Sequence, residues 1–163
     1  MLTHIHIKDL AIVSSLEMDL HQGMTTLTGE TGAGKSILID ALGLVLGERA
    51  DNDMIRDGSE RAEITAVLDI TRLQAVTEWL QEHSLDAGGE CILRRVLSRS
   101  GNSKAFINGS PVPARSLQAL GDLLVDIHGQ HAHQSLLKRD QQRELLDDYA
   151  GHQKLRRQLA EAF

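Results

Sequence analysis

The chain has 163 residues, a formal net charge of −6, a hydrophobic fraction of 41% and only 2% aromatics. This length allows one core of ordinary domain size, and that core must be aliphatic. The acidic balance argues against a bulk basic nucleic-acid binder, the few aromatics (Trp79, Phe106, Tyr149, Phe163) against a single-strand stacking platform, and the short apolar stretches against a membrane span of ~20 residues.

The opening residues, Met1-Leu2-Thr3-His4-Ile5-His6, carry no basic region followed by an apolar one, so no signal peptide is visible. Leu2 to Lys8 and Leu16 to Leu20 alternate polar with apolar side chains and predict two half-buried strands. Met24 to Thr28, opened by Gly23, predicts a third short strand. Gly29-Glu30-Thr31-Gly32-Ala33-Gly34-Lys35-Ser36 follows, a complete G-x-x-x-x-G-K-[ST] phosphate-binding loop. The glycines permit backbone dihedrals that a Cβ forbids, so successive N–H groups can turn inward around phosphate oxygens. Lys35 is suited to reach the β/γ-phosphates, and the Ser36 hydroxyl to bind Mg²⁺. Ile37 to Leu46 is an apolar stretch of helical length ended by Gly47. Strand, glycine loop and helix in that order aim a helix N-terminus at an anion. The competing reading is a glycine-rich surface turn that matches by chance.

Arg49 to Glu60 is polar and predicts a loop. Ala62 to Ile70 predicts a strand with Ile64, Ala66, Leu68 and Ile70 on one face. Leu73 to His83 predicts an amphipathic helix in which Trp79 is a packing anchor. Cys91 to Ser98 and Ser103 to Ile107 predict strands flanking a turn at Arg99 to Asn102. Cys91 is the single cysteine, fits a reducing compartment without proving it, and is expected as a buried strand residue. Asn108-Gly109 marks a tight hairpin turn, because both positions accept positive φ. Pro113 to Leu120 predicts a short helix entered through proline, and Leu123 to Ile127 a buried run. Asp126 ends that run and is a candidate metal carboxylate. His128, His131 and His133 have H-x-x-H-x-H spacing, which suits either zinc ligation or hydrogen bonding around a loop; a closed zinc site needs four placed ligands. Arg139 to Phe163 carries Leu145, Leu146, Tyr149, Leu155 and Leu159 as a helical stripe, with a coiled coil only suggested. Hydrolysis also requires a water-positioning group and a further acidic strand. Neither is evident, which together with the helical tail suggests an N-terminal piece of a larger ATPase.

The phosphate loop with Thr31, the helix after it, Gly47-Glu48-Arg49-Ala50-Asp51, and Val125-Asp126-Ile127-His128-Gly129-Gln130-His131-Ala132-His133-Gln134 together resemble the RecN family of bacterial DNA repair proteins, SMC-like relatives of the ABC ATPases. The resemblance spans essentially the whole chain. It implies an α/β phosphate-loop NTPase fold, the N-terminal lobe of an ABC/SMC-type head with an antiparallel β-subdomain and the start of a coiled-coil helix. The expected division is residues 1–138 as the lobe and 139–163 as the root of the coiled coil. The implied ligands are ATP and Mg²⁺, held by residues 29–36 and by Gln130 as the glutamine-loop residue, with Gln134 the competing candidate. Arg49 and Arg56 are candidates for the arginine that, in SMC-type heads, couples DNA or the partner head to ATP, against simple surface solvation. Implied partners are the protein's own C-terminal head lobe, a second head in a homodimer, and DNA through the full-length protein, with no membrane. The signature motif and catalytic glutamate are expected outside these residues, so the chain alone is expected to hydrolyse ATP barely or not at all. The implied location is the bacterial cytoplasm, at the nucleoid. The alternatives are another SMC- or RecF-like head, a transporter nucleotide-binding subunit, and a scaffold with a vestigial loop.

Overall fold

The computed structural model describes residues 1–28, 34–125, 143, 146, 147, 149–152, 155, 158 and 159. The chain divides into two compact units, Met1–Asp126 and Ile127–Phe163. The first is a mixed α/β unit built on six antiparallel strands: β1 (Leu2–Leu10), β2 (Val13–Asp19), β3 (Arg61–Asp69), β4 (Glu90–Ser98), β5 (Lys104–Ile107) and β6 (Ser110–Val112), in the order β2-β1-β3-β4-β5-β6. Three helices accompany them: α1 (Gly34–Val45), α2 (Gln74–Glu82) and α3 (Ala114–Leu124). Helix α1 packs on β1, β3 and β4, α3 packs on β5, and α2 packs on α3.

Period-two alternation gives the sheet one apolar face. Cross-strand rows run Met18–Ile5–Ala66–Leu93–Ile107 and Leu16–Ile7–Ile64–Arg95–Ala105–Val112. Ile5, Ile7, Ile64, Leu93 and Ile107 are fully buried there. Each fully buried aliphatic side chain contributes about 1.5–3 kcal/mol, so this face supplies much of the stability. The opposite face is mixed: Arg94 lies 4.4 Å over the Phe106 ring and 3.5 Å from Glu63. Ile64, Ala66, Leu68 and Ile70 all face the core, and Cys91 is buried as expected. Burial pushes the Cys91 thiol up to about 12, which leaves it unreactive at neutral pH.

The two-residue turn Asn108-Gly109 joins β5 to β6 with φ of +48° and +81°, the positive pair that a type I′ turn requires. Asn108 also accepts from the Ile92 N–H at 2.8 Å and donates to the Leu85 carbonyl at 2.7 Å. Helix α1 ends where glycine predicts: Glu48 N–H reaches Gly43 O at 3.0 Å and Gly47 N–H reaches Leu44 O at 3.2 Å, with Gly47 at φ +103°, a Schellman cap. Trp79 packs as an anchor, half-buried and stacked on His83 at 3.9 Å between ring centroids.

Three expectations need correction. Met24 to Thr28 is not a strand, and Met24 is 88% exposed; a short β-type run makes no strand by itself, and among the described residues no strand pairs with it. The buried run expected from Leu123 begins instead as the end of α3, with Leu123 42% exposed. Pro113 serves as the N-cap, and the amphipathic pattern continues one turn beyond Leu120. In the second unit, described residues up to Tyr149 are helical and helix resumes by Leu155, but the stripe is broken between them. His152 N–H bonds Asp147 O at 2.8 Å with Gly151 at φ +70°, a second Schellman cap that stops the helix. Among the described residues, no helix is long and apolar enough to cross a membrane.

Candidate functional site

Of the predicted phosphate loop, the described residues are Gly34, Lys35 and Ser36, which form the first turn of α1. Gly29, Glu30, Thr31, Gly32 and Ala33 lie outside the described residues, as do Asp126, Gln130, Gln134, His128, His131 and His133. The first-turn N–H groups of a helix have no intrahelical acceptor and carry the positive end of the macrodipole. Sequences ordinarily place an acid there. Helix α1 has none in its first turn and carries Lys35 there. A helix N-terminus favours an anion. Ser36 is exposed at this end, and among the described residues a Cβ built on Gly34 meets no atom within 4 Å.

The rear of α1 is fixed firmly. A Cβ on Gly47 would lie 2.5 Å from the Gln118 backbone nitrogen, and one on Gly121 2.9 Å from the Leu46 carbonyl oxygen. The two glycines let α1 and α3 meet backbone to backbone, which locks the direction in which the N-terminus points.

The donor set fits a nucleotide polyphosphate with magnesium: an ammonium and helix N–H groups for phosphate, and one hydroxyl oxygen for a metal that otherwise takes phosphate and water oxygens. Among the described residues, no cluster of three or more His, Cys, Asp or Glu could hold a metal by itself.

Both candidate arginines are exposed. Arg56 lies in a segment held by its neighbours: its N–H bonds Asp9 O at 2.9 Å, its carbonyl accepts from Ser59 N–H at 3.0 Å, and Ile55 bridges Leu10. A 3-10 turn, Asn52–Met54, precedes it, so the expected loop is partly ordered by its own hydrogen bonds. Two arginines carry roles that sequence reasoning missed. Arg95 is 3% exposed on the core face, donates to Ser103 Oγ at 2.8 Å, and has Nε and Nη1 buried without a hydrogen-bond partner among the described residues. Burial lowers its pKa. Arg99 reaches back to carbonyls more than 40 residues earlier. Alternation placed Arg95 on the apolar face, which was a usable signal; nothing local marked Arg99.

Comparison with known proteins gives three findings. The family model described as "AAA domain" matches residues 4–162. The DNA repair protein RecN of Vibrio cholerae is 54% identical over 152 residues, covering 93% of this chain and 27% of the relative; the chain thus spans about a quarter of the length of the curated relatives it matches. Among solved structures, the Smc head domain with an extended coiled coil from Pyrococcus furiosus, bound to the C-terminal domain of ScpA, superposes with a TM-score of 0.71 at 18% identity, over 99% of this chain and 44% of that one. A chain from work on ATP-driven dimerization and DNA stimulated activation of SMC ATPases superposes with a TM-score of 0.65 at 19% identity, over 91% and 98%. These likenesses establish the expected fold, an α/β SMC-type head lobe.

Proposed function

The chain belongs to the AAA domain family and is similar to RecN, and from that premise we propose that it binds ATP with magnesium as one lobe of an SMC-like ATPase head acting in DNA double-strand-break repair. One observation carries the reading: a largely apolar helix that opens with Lys35 and Ser36, has no acid in its first turn, and has no described atom within 4 Å of a Cβ on Gly34. In this reading residues 29–36 wrap the polyphosphate, Lys35 meets the β/γ-phosphates, and the Ser36 hydroxyl is an oxygen ligand for magnesium. Magnesium, when bound, neutralises charge between the β- and γ-phosphates. Gln130 is the residue we assign to sensing the γ-phosphate, through a side-chain amide that both donates and accepts.

A second lobe and a second head complete the proposed machine, with ATP drawing two heads together and hydrolysis coupled to DNA. Support comes from α1 itself. Apart from Lys35, Ser36 and the exposed Asp40 it is apolar, yet Ile39 is 49% exposed and Ile37, Leu38 and Leu42 are only half-buried. A helix of that composition belongs between two layers, and among the described residues one layer, the sheet, packs on it. The remaining length of a RecN-sized protein would supply the other, along with the acidic strand and signature motif.

The test is calorimetric titration with MgATP. Losing the charge-assisted bonds of Lys35 costs about 2–3 kcal/mol, or roughly 30- to 150-fold in affinity, so Lys35→Ala is expected to bind at least that much more weakly. Equal affinity in the two proteins contradicts the proposal.

A further inference from the structure

We infer that residues 150–152 form a joint, at which the helix carrying Leu155 and Leu159 is re-aimed and swings relative to the helix carrying Leu146 and Tyr149. Arg143, Leu146, Asp147 and Tyr149 are helical, residues 150–152 form a turn, and helix resumes by Leu155. Among the described residues the turn is closed mainly by backbone. Ala150 N–H bonds Leu146 O at 3.0 Å, His152 N–H bonds Asp147 O at 2.8 Å, and Gly151 lies between them at φ +70°. A glycine in the left-handed region ends a helix and turns the chain away from its axis.

The apolar pattern agrees with a break at this place. At about 100° per residue, an unbroken helix would set Tyr149 about 60° to one side of Leu146, but Leu155 and Leu159 about 180° and 220° round from it. The two pairs would then centre about 130° apart, too far for the single stripe of ~100° with which a helix packs on one partner. A turn frees the second pair from the phase of the first. All four side chains are exposed.

Little holds the angle of the turn. Among the described residues, a Cβ built on Gly151 meets nothing within 4 Å, and residues 149–152 are exposed. Asp147 Oδ1 lies 3.9 Å from His152 Nδ1, and that imidazole is half-exposed, so the pair adds little. A bend wedged by packing is fixed, whereas one closed by solvent-exposed backbone bonds opens locally at low cost. A few such residues, absorbing a change in φ and ψ, are what a hinge consists of. The resemblance puts a coiled-coil helix at this end of the chain, expected from residue 139; the joint places its straight part after His152. This chain covers 27% of the Vibrio cholerae relative, so in a protein of that length an arm built on Leu155 leaves through a pivot rather than a rigid rod.

The experiment uses the full-length protein with nitroxide labels at Arg143→Cys and Gln158→Cys, one on each helix. Cys91 is buried and stays unlabelled, and any reactive cysteine outside these residues is replaced by serine. Double electron–electron resonance reads the distance distribution without nucleotide, so its outcome is independent of the proposed ATP site. A straight helix sets the two Cα atoms about 22 Å apart. After allowance for the label linkers, the unsubstituted joint is expected to give a broad distribution centred below that distance. Gly151→Ala should give a narrow peak near the straight-helix distance, because alanine is disfavoured in the left-handed region and is the best helix former. Gly151→Asn should keep the broad distribution, since asparagine accepts that region. A narrow peak at the straight-helix distance with Gly151 in place refutes the break. A narrow peak at a shorter distance shows a fixed bend and refutes the swing. A distribution that Gly151→Ala leaves unchanged shows that the glycine does not make the joint, and overturns the inference.

Discussion

Gly47→Ala should destabilise the protein through the junction of α1 with α3. Gly47 sits at φ +103°, where a Cβ would meet the Gln118 nitrogen at 2.5 Å, its Cα at 2.9 Å and the Ala114 oxygen at 3.0 Å. The left-handed backbone alone costs an alanine about 1–2 kcal/mol. All three contacts are backbone atoms of α3, which cannot rotate away as a side-chain tip can, so helix separation adds about 1–3 kcal/mol of overpacking. Reduced freedom of the unfolded alanine returns ~0.4–1 kcal/mol. The net loss is about 1–5 kcal/mol, or roughly 3–15 °C in Tm at ~3 °C per kcal/mol for a chain of this size. Gly23→Ala is the control, because Gly23 has a similar φ of +113° with nothing within 4 Å of a Cβ. It carries the strain without the clash and should lose only about 1 kcal/mol. Scanning calorimetry with urea titration measures both. Equal losses in the two variants would refute the backbone contact between α1 and α3, and with it the account of how the end of α1 is aimed.

Arg95→Met should stabilise the fold by about 1–3 kcal/mol in urea, because a buried guanidinium with two unmet N–H groups is replaced by an apolar chain of similar length; a loss of stability would show that those N–H groups have an acceptor. Thr71→Ala should raise the pKa of Asp69, whose carboxyl is held below its ordinary value first by the Thr71 hydroxyl at 2.7 Å and then by the Thr71 N–H at 3.0 Å. A depressed carboxylate stabilises fully above its unfolded pKa and loses that contribution as pH falls through the folded one, so the stability difference between wild type and Thr71→Ala should be present at pH 7 and shrink below the ordinary carboxylate range. Carbon-detected NMR titration of Asp69 checks the shift, and an unchanged midpoint would contradict the assignment.

The sequence was legible wherever the determinant was local. Asn108-Gly109 announced its turn because positive φ at two consecutive positions is a property of those residues. Gly47 announced the end of α1 for the same reason, and the alternation from Ala62 to Ile70 marked a sheet with one apolar face. Met24 to Thr28 misled because a strand is made by its neighbour, and local pattern cannot report whether a neighbour is there. Gly151 stood in plain view, but the leucine stripe around it outweighed a single breaker. Within the site, the order Gly34-Lys35-Ser36 at a helix start was fully readable. The bonds from Arg99 to the loop after α1 were not: Arg99 and Ser59 are 40 residues apart, and no spacing rule links a guanidinium to carbonyls at such a distance.

The central claim, that the start of α1 and the residues before it enclose a nucleotide polyphosphate, is met most directly by amide NMR of the protein titrated with MgATP. The account predicts saturable shifts at Gly34, Lys35 and Ser36, absent in Lys35→Ala. Shifts that spare the start of α1, or that persist unchanged in Lys35→Ala, would contradict it.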